Sequence, residues 1–168
     1  MSWTRALPYL LAIALAAIAL VSSRRDHAGG GTQARARVDR VVDGDTIVVR
    51  LDGRRERVRY IGIDTPESVK PGTPVQCFAK AASAANERLV AGRDVRLEFD
   101  RERRDRYARL LAYIVRSDGV DVNAALLRGG YAHTLVFPPN TRNAGRFAAI
   151  ERGARTRGAG LWSACPNR

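Results

Sequence analysis

The chain has 168 residues and a formal net charge of +12, because 29 Lys and Arg oppose 17 Asp and Glu. All the basic residues except Lys70 and Lys80 are Arg, and the planar guanidinium group binds phosphate better than an ammonium group does. The length fits one domain with a short extension, and 45% apolar residues exclude a wholly disordered basic tail. The charge indicates a polyanionic partner, nucleic acid or an anionic membrane. A genome rich in Arg codons would produce the same excess on a solvated surface.

An apolar segment, 6–21, lies near the N-terminus. It contains no charged residue and follows Arg5 and the free amine, as the hydrophobic region of an export signal does. Membrane spans need ~17–25 apolar residues, so the segment is marginal as a span. Arg24 and Arg25 beyond it leave an uncleaved anchor open. We predict a signal peptide or membrane anchor over 1–23, and an exported protein that is secreted, periplasmic or tethered to a membrane through 6–21.

The remaining sequence divides into a linker and a domain. Residues 24–34 include a run of three glycines and are predicted to form a flexible linker. The domain follows over 35–168 and is expected to be a monomer. It contains two cysteines, Cys77 and Cys165. An even count behind an export signal favours an intrachain disulfide between them, and two unrelated buried thiols are the alternative.

The first part of the domain consists of short β-branched runs separated by turns. Strands are predicted over 38–42 and 46–51, joined by the turn Asp43-Gly44-Asp45. A third strand is predicted over 57–63. Its apolar residues change face near Gly62, which predicts a bulge there.

Helices are interleaved with strands in the second part. The apolar spacing predicts helices and strands in the order helix 78–89, strand 95–99, strand 110–115, helix 122–128 capped by Asp121, and a last helix through 147–154. Five strands with a helix between the third and fourth fit an α+β fold, an OB-type five-stranded β-barrel with about three helices.

Two acidic turns stand out in this basic chain, Asp-Gly-Asp-Thr at 43–46 and Asp-Thr-Pro-Glu at 64–67. Antiparallel pairing of the strands between them would bring Asp45 and Asp64 to one end of a sheet. Clustered carboxylates repel each other unless a cation or shared protons relieve them. Oxygen ligands without His or Cys indicate a hard cation such as Ca²⁺ or Mg²⁺. The alternative is that both are ordinary turns.

Arginines accompany these turns. Arg59 lies in the third strand, five residues before Asp64. An anionic ligand held beside a metal would account for its charge, and a solvent-facing strand residue is the alternative. The segment 101–109, RERRDRYAR, is typical of a solvated hairpin loop, but an aromatic residue among arginines also suits a phosphate or a base. Arg109 enters the next strand and is therefore fixed in position.

Taken together, these motifs resemble the thermonuclease, or staphylococcal nuclease-like, family. The matching stretches are DGDT (43–46), VRYIGIDTPE (58–67), PVQCFAKAAS (74–83), RLEFD (96–100), DRYARLLAYI (105–114), VNAALLRGGYA (122–132) and GLW (160–162). Each is weak alone, but DGDT and DTPE with an upstream Arg and a later Tyr-x-Arg are specific in combination. The resemblance covers about 38–162, essentially the whole domain.

The resemblance implies a Ca²⁺-dependent phosphodiesterase that acts on DNA and RNA. The roles it implies are metal ligation by Asp45, Asp64 and the Thr65 carbonyl, catalysis by Arg59, Glu67 and Arg109, and substrate binding by Tyr107. Glu67 would act as general base on the attacking water, and the two arginines would stabilise the transition state. Ala108 departs from the family, which usually has Gly at that position.

Two other functions remain open from the sequence. A non-catalytic OB-fold module could bind nucleic acid, although binding alone does not require the set Asp45, Asp64, Arg59, Glu67 and Arg109. A surface protein could use its arginines to bind anionic lipid, in which case it would bind vesicles in a salt-dependent way and hydrolyse nothing.

Overall fold

A computed structural model describes residues 32–68, 72 and 74–165. The predicted export or anchor segment, 1–23, and most of the predicted linker lie outside the described residues. Within the described part, no helix has the length and apolar character that a membrane crossing requires.

The described residues form seven strands and four helices. The strands are β1 (Gln33–Val41), β2 (Thr46–Leu51), β3 (Arg54–Tyr60), β4 (Ile63–Asp64), β5 (Asp94–Glu98), β6 (Leu110–Arg116) and β7 (His133–Thr134). The helices are α1 (Ala79–Val90), α2 (Val122–Arg128), α3 (Ala144–Thr156) and α4 (Leu161–Ala164). β1 begins two residues before the predicted start of the domain.

Five strands close into a barrel in the order β1-β2-β3-β6-β5. Neighbours are antiparallel except β3 and β6, which are parallel. In the first part of β1, inward residues alternate with outward arginines. The barrel core includes Ile47, Val58, Leu97 and Ile114, which are fully buried. This barrel with its helices confirms the predicted α+β, OB-type fold.

The predicted third strand, 57–63, is wrong in its second half. β3 ends at Tyr60, and Gly62 adopts a left-handed conformation with φ 80°, which ends the strand in a turn rather than a bulge. A side chain at Gly62 could not fit, because its Cβ would lie 2.8 Å from the Phe147 ring. The next two residues form β4, which pairs with β7 outside the barrel.

The helices hold this turn in place. Asn123 in α2 is fully buried; its side chain donates to the Ile61 carbonyl at 2.8 Å and accepts from the Ile114 amide at 3.0 Å. Asp121 caps α2 by accepting from the Ala124 amide at 2.9 Å, as predicted. The residues that leave β3 are therefore fixed against both the barrel and a helix.

A disulfide joins Cys77 and Cys165, residues separated by 88 positions. The prediction of this pair is confirmed, and the alternative of two unrelated thiols is wrong. The bond connects the segment before α1 to the residue that follows α4.

Candidate active site

A partly buried guanidinium joins the two acidic turns. Arg59, near the end of β3, places its Nε 3.1 Å from Asp45 Oδ1 and its Nη2 2.7 Å from Asp64 Oδ1. Its Nη1 donates to the carbonyls of Tyr60 at 3.0 Å and Ile63 at 2.8 Å. The Arg59 side chain is only 14% exposed. One positive charge thus fixes the strand end and both carboxylates, and the predicted juxtaposition of Asp45 and Asp64 is present.

Asp45 also connects the two turns directly. Its Oδ2 accepts from the Thr65 amide at 2.8 Å and the Thr65 hydroxyl at 3.0 Å, while Oδ1 accepts from the Thr46 hydroxyl at 3.2 Å. Gly44 permits this approach, because a Cβ there would lie 2.6 Å from Thr65 Oγ1. The glycine of the first turn is therefore required by the packing of the second turn.

Negative charge is concentrated around Arg59. Burial and the adjacent Asp45 carboxylate raise the pKa of Asp43 to about 6. Burial also raises the pKa of Asp64, helped by the charge of Asp45 and Glu67 and opposed by Arg59. Glu67 therefore lies close enough for its charge to act on the Asp64 carboxyl.

The Glu67 backbone is held by Gln76, a residue that the sequence did not single out. The Glu67 amide donates to Gln76 Oε1 at 3.0 Å, and the Gln76 amide donates to the Glu67 carbonyl at 3.0 Å. Gln76 immediately precedes the disulfide residue Cys77. The spacing of polar residues in the sequence does not predict the contact between Glu67 and Gln76, because a loop brings these two residues together.

Arg109 is positioned by Asp105, a second residue without an assigned role in the sequence. Asp105 accepts from Arg109 Nε at 2.7 Å, from the Arg109 amide at 3.0 Å and from the Tyr107 amide at 2.9 Å. Partial burial disfavours the charged carboxylate, but these hydrogen bonds outweigh burial and lower the pKa of Asp105. The last part of the charged loop, 105–109, is thus ordered around one carboxylate.

A groove of about 460 Å³ has both Arg59 and Arg109 in its lining. Tyr107, which is 64% exposed, also lines it, with the Arg109 guanidinium 5.5 Å from its ring centre. Leu135 and the 74% exposed Phe137 belong to the same lining. The sequence left Phe137 without a role and did not single out Leu135. The structure thus brings the two arginines and Tyr107 to one groove, and Arg59 links this groove to the carboxylates.

The donor atoms near Arg59 fit a hard cation. The predicted ligands are two carboxylates and the Thr65 carbonyl, all of them oxygen donors of the kind that Ca²⁺ prefers. Burial, with a smaller contribution from neighbouring carboxylates, raises the pKa of Asp64, and a divalent cation would stabilise its charged form. In the described part of the chain, no three His, Cys, Asp or Glu residues form a cluster that could hold a metal ion.

Comparison with known proteins identifies the class. The family model described as Staphylococcal nuclease homologue matches residues 57–164. The chain is 43% identical over 125 residues to a thermonuclease of Staphylococcus intermedius, covering 74% of each chain. It is 40% identical over 127 residues to a thermonuclease of Staphylococcus hyicus, covering 76% of this chain and 75% of the relative.

A third relative is endonuclease YncB of Bacillus subtilis, which is 42% identical over 128 residues, 75% of this chain and 60% of the relative. The barrel, its groove and these relatives define a hydrolase of the nuclease class. The chain belongs to the staphylococcal nuclease homologue family.

Proposed function

We propose that this protein is an exported, Ca²⁺-dependent nuclease that hydrolyses phosphodiester bonds in DNA, RNA or both. The observation that carries the proposal is the position of Arg59, which contacts Asp45 and Asp64 and lines the groove that also contains Arg109. A groove with two guanidinium groups suits an anionic phosphodiester, and the adjacent carboxylates suit a cation.

The metal would be held by Asp45, Asp64 and the backbone carbonyl of Thr65. When bound, Ca²⁺ supplies positive charge that stabilises the charge developing on the phosphate. Without the metal, Arg59 neutralises part of the charge of both carboxylates, since its nitrogen atoms lie 3.1 Å from Asp45 Oδ1 and 2.7 Å from Asp64 Oδ1.

The side chains then divide the work of phosphodiester hydrolysis. Glu67 removes a proton from the attacking water, a contribution that for one general base is ~10²–10⁴ in rate. Arg59 and Arg109 neutralise the additional negative charge of the five-coordinate transition state, and prearranged charge of this kind is usually the largest single contribution. Tyr107 binds a substrate phosphate. Asp105 acts through Arg109 as a positioning residue.

Export is supported by two observations. The Cys77–Cys165 disulfide is compatible with an oxidising compartment outside the cytoplasm. The uncharged apolar segment 6–21 has the character of an export signal or membrane tether. Together they favour an enzyme that meets its substrate outside the cell or in the envelope.

The test is digestion of plasmid DNA and RNA by the full chain with Ca²⁺ and then with EGTA. We expect hydrolysis that requires the metal, and a Glu67→Gln variant whose kcat is lower by ~10²–10⁴ because the amide cannot accept the proton from water. Glu87→Gln is the matched control, since Glu87 is an exposed residue of α1, and it should keep full activity.

Three results would contradict the proposal. Correctly folded wild-type protein that hydrolyses neither polymer with any divalent cation would exclude the enzyme. Hydrolysis that persists in EGTA would exclude the metal requirement. Equal kcat for Glu67→Gln and wild type would exclude Glu67 as the base.

A further inference from the structure

A second groove lies on the barrel, in a part of the surface that shares no lining residue with the first. It has a volume of about 620 Å³ and is lined by residues of β1, β2, β5 and β6 with Ser117. Its charged lining residues are Arg35, Arg37, Arg50, Arg96, Arg116 and Asp94. We call this surface the arginine groove.

The strand register places arginines of this surface directly opposite one another. Arg37 pairs with Arg50 across β1 and β2, and Arg50 also lies opposite Arg55 of β3, which is outside the groove lining. Arg35 pairs with Arg96 across β1 and β5. Like charges in directly opposed positions destabilise a sheet. An anion bound between them would relieve this repulsion, whereas a surface with no ligand gains nothing from the arrangement.

Acidic neighbours offset this charge only in part. Asp39 is shared by two arginines, at 2.7 Å from Arg55 and 3.6 Å from Arg50. Arg35 has no acidic partner among the described residues. The other arginines of the groove each contact an acid: Arg37 contacts Asp94, Arg96 contacts Glu98, and Arg116 contacts Asp118. The Arg37–Asp94 pair is exposed on both sides, and such pairs contribute ~0–1 kcal/mol, so phosphate oxygens can replace that carboxylate at little cost.

The arginine groove lies one strand length from the candidate active site. β2 runs from Thr46, next to Asp45, to Arg50 in the groove, and four steps of ~3.3 Å span about 13 Å. β6 begins next to Arg109 and ends at Arg116, and six such steps span about 20 Å. A polymer bound at the active site can therefore reach this surface, whereas a mononucleotide cannot.

The composition of the groove selects the ligand. The large apolar residues that are exposed in the described part of the chain are Val75, Tyr107, Leu135, Val136 and Phe137, and none of them lines this groove. Amphipathic binding to a membrane surface inserts apolar side chains, and base recognition in single strands uses aromatic stacking. Guanidinium groups without either element suit a phosphate backbone.

We propose that the arginine groove is a second binding surface for the sugar-phosphate backbone of the nucleic acid substrate, outside the cleavage site. This inference rests on the proposed function for the identity of the polymer. The groove binds without sequence preference, because phosphate contacts carry no base information. It increases affinity for long substrates and leaves the chemical step unchanged.

The test compares Arg35→Gln/Arg37→Gln/Arg50→Gln with a control of equal charge, Arg88→Gln/Arg128→Gln/Arg152→Gln, whose residues are exposed on α1, α2 and α3. Binding of the full-length proteins to a long duplex is measured by fluorescence anisotropy in EDTA over a salt series. We expect the groove variant to bind about tenfold more weakly than the control, with a salt slope smaller by about 2–3, since each lost phosphate contact removes ~0.9. Hydrolysis of a nitrophenyl ester of a single nucleotide should be unchanged.

The binding arm is informative even if the protein hydrolyses nothing, so failure of the proposed function and failure of this inference are distinguishable. Equal duplex affinity and equal salt slope for the two triple variants would overturn the proposal. Loss of binding to anionic phospholipid vesicles with unchanged duplex binding would overturn it in favour of a lipid surface. A lower rate on the nucleotide ester would show that the substitutions act on the active site instead. The groove variant should fold at least as stably as wild type at low salt, because opposed arginines have been removed.

Discussion

Ala108 shows how one residue is constrained by the site next to it. It adopts φ 60°, the left-handed region that costs a residue with a Cβ ~1–2 kcal/mol. Its amide donates to the Asp105 carbonyl at 3.0 Å, and its carbonyl accepts from Arg104 Nη1 at 2.6 Å. The next residue, Arg109, is bound to the Asp105 carboxylate. Asp105 therefore holds both residues, Ala108 through its carbonyl and Arg109 through its carboxylate.

Replacing Ala108 with Gly should stabilise the protein. Glycine adopts φ 60° without a steric penalty, and its greater freedom in the unfolded chain offsets part of the gain, so the expected increase in the free energy of unfolding is ~0.5–1 kcal/mol. Urea denaturation measures it. The control is Ala84→Gly in the middle of α1, which should lower the same free energy by ~1 kcal/mol. If Ala108→Gly is as destabilising as the control, the left-handed conformation is not strained.

For helices and strands, the sequence pattern was sufficient to predict the observed bounds where local signals and tertiary contacts agree. The predicted strand 46–51 and helix 122–128 have the observed bounds, since β-branched residues and the Asp121 cap act locally. The strand after Tyr60 was mispredicted because Gly62 and its contact with Phe147 depend on the packed core. The alternation of Arg and Ala in 33–37 hid the start of β1, whose arginines face outward.

The candidate site could likewise be predicted only in part. Pairing of β2 with β3 brings Asp45 next to Arg59, so that proximity was predictable from spacing. Asp64 reaches Arg59 only through the turn at Gly62, which the sequence pattern did not predict. Gln76 and Asp105 were not predictable, because each acts by accepting hydrogen bonds from backbone amides across a loop. Such hydrogen-bond partners produce no periodic pattern in the sequence.

Removal of the disulfide tests an element that lies next to the site. Cys77 and Cys165 enclose a loop of 88 positions, and closing a loop of that length in the unfolded chain accounts for ~4–5 kcal/mol in the chain-entropy model. Cys77→Ser/Cys165→Ser should therefore lower the free energy of unfolding in urea by about 4 kcal/mol. Wild-type protein with its disulfide reduced is the control and should lose a similar amount. An unchanged free energy would mean that the pair does not restrict the unfolded chain.

For the whole molecule, the arginines that produce the net charge of +12 have different proposed roles. Arg59 and Arg109 are proposed to act at the scissile phosphate, and the arginine groove is proposed to hold the substrate elsewhere. These sites place like charges close together, as in the opposed pairs of Arg50 with Arg37 and Arg55. The protein's stability and its affinity for a polyanion therefore depend on the same residues in opposite directions.

Salt should separate these two effects. Because basic groups outnumber acidic ones, repulsion among arginines remains after every acid has a partner, and salt screens it as the Debye length falls from ~30 Å at 0.01 M to ~10 Å at 0.1 M. Three opposed arginine pairs at 0.2–1 kcal/mol each give an expected rise of about 1 kcal/mol in the free energy of unfolding over that range. Urea denaturation, which adds no ions, measures the rise. Arg35→Gln/Arg37→Gln/Arg50→Gln should show a smaller rise, and duplex affinity should fall over the same salt range. A free energy of unfolding that falls with salt would mean that attractive ion pairs outweigh arginine repulsion in this fold.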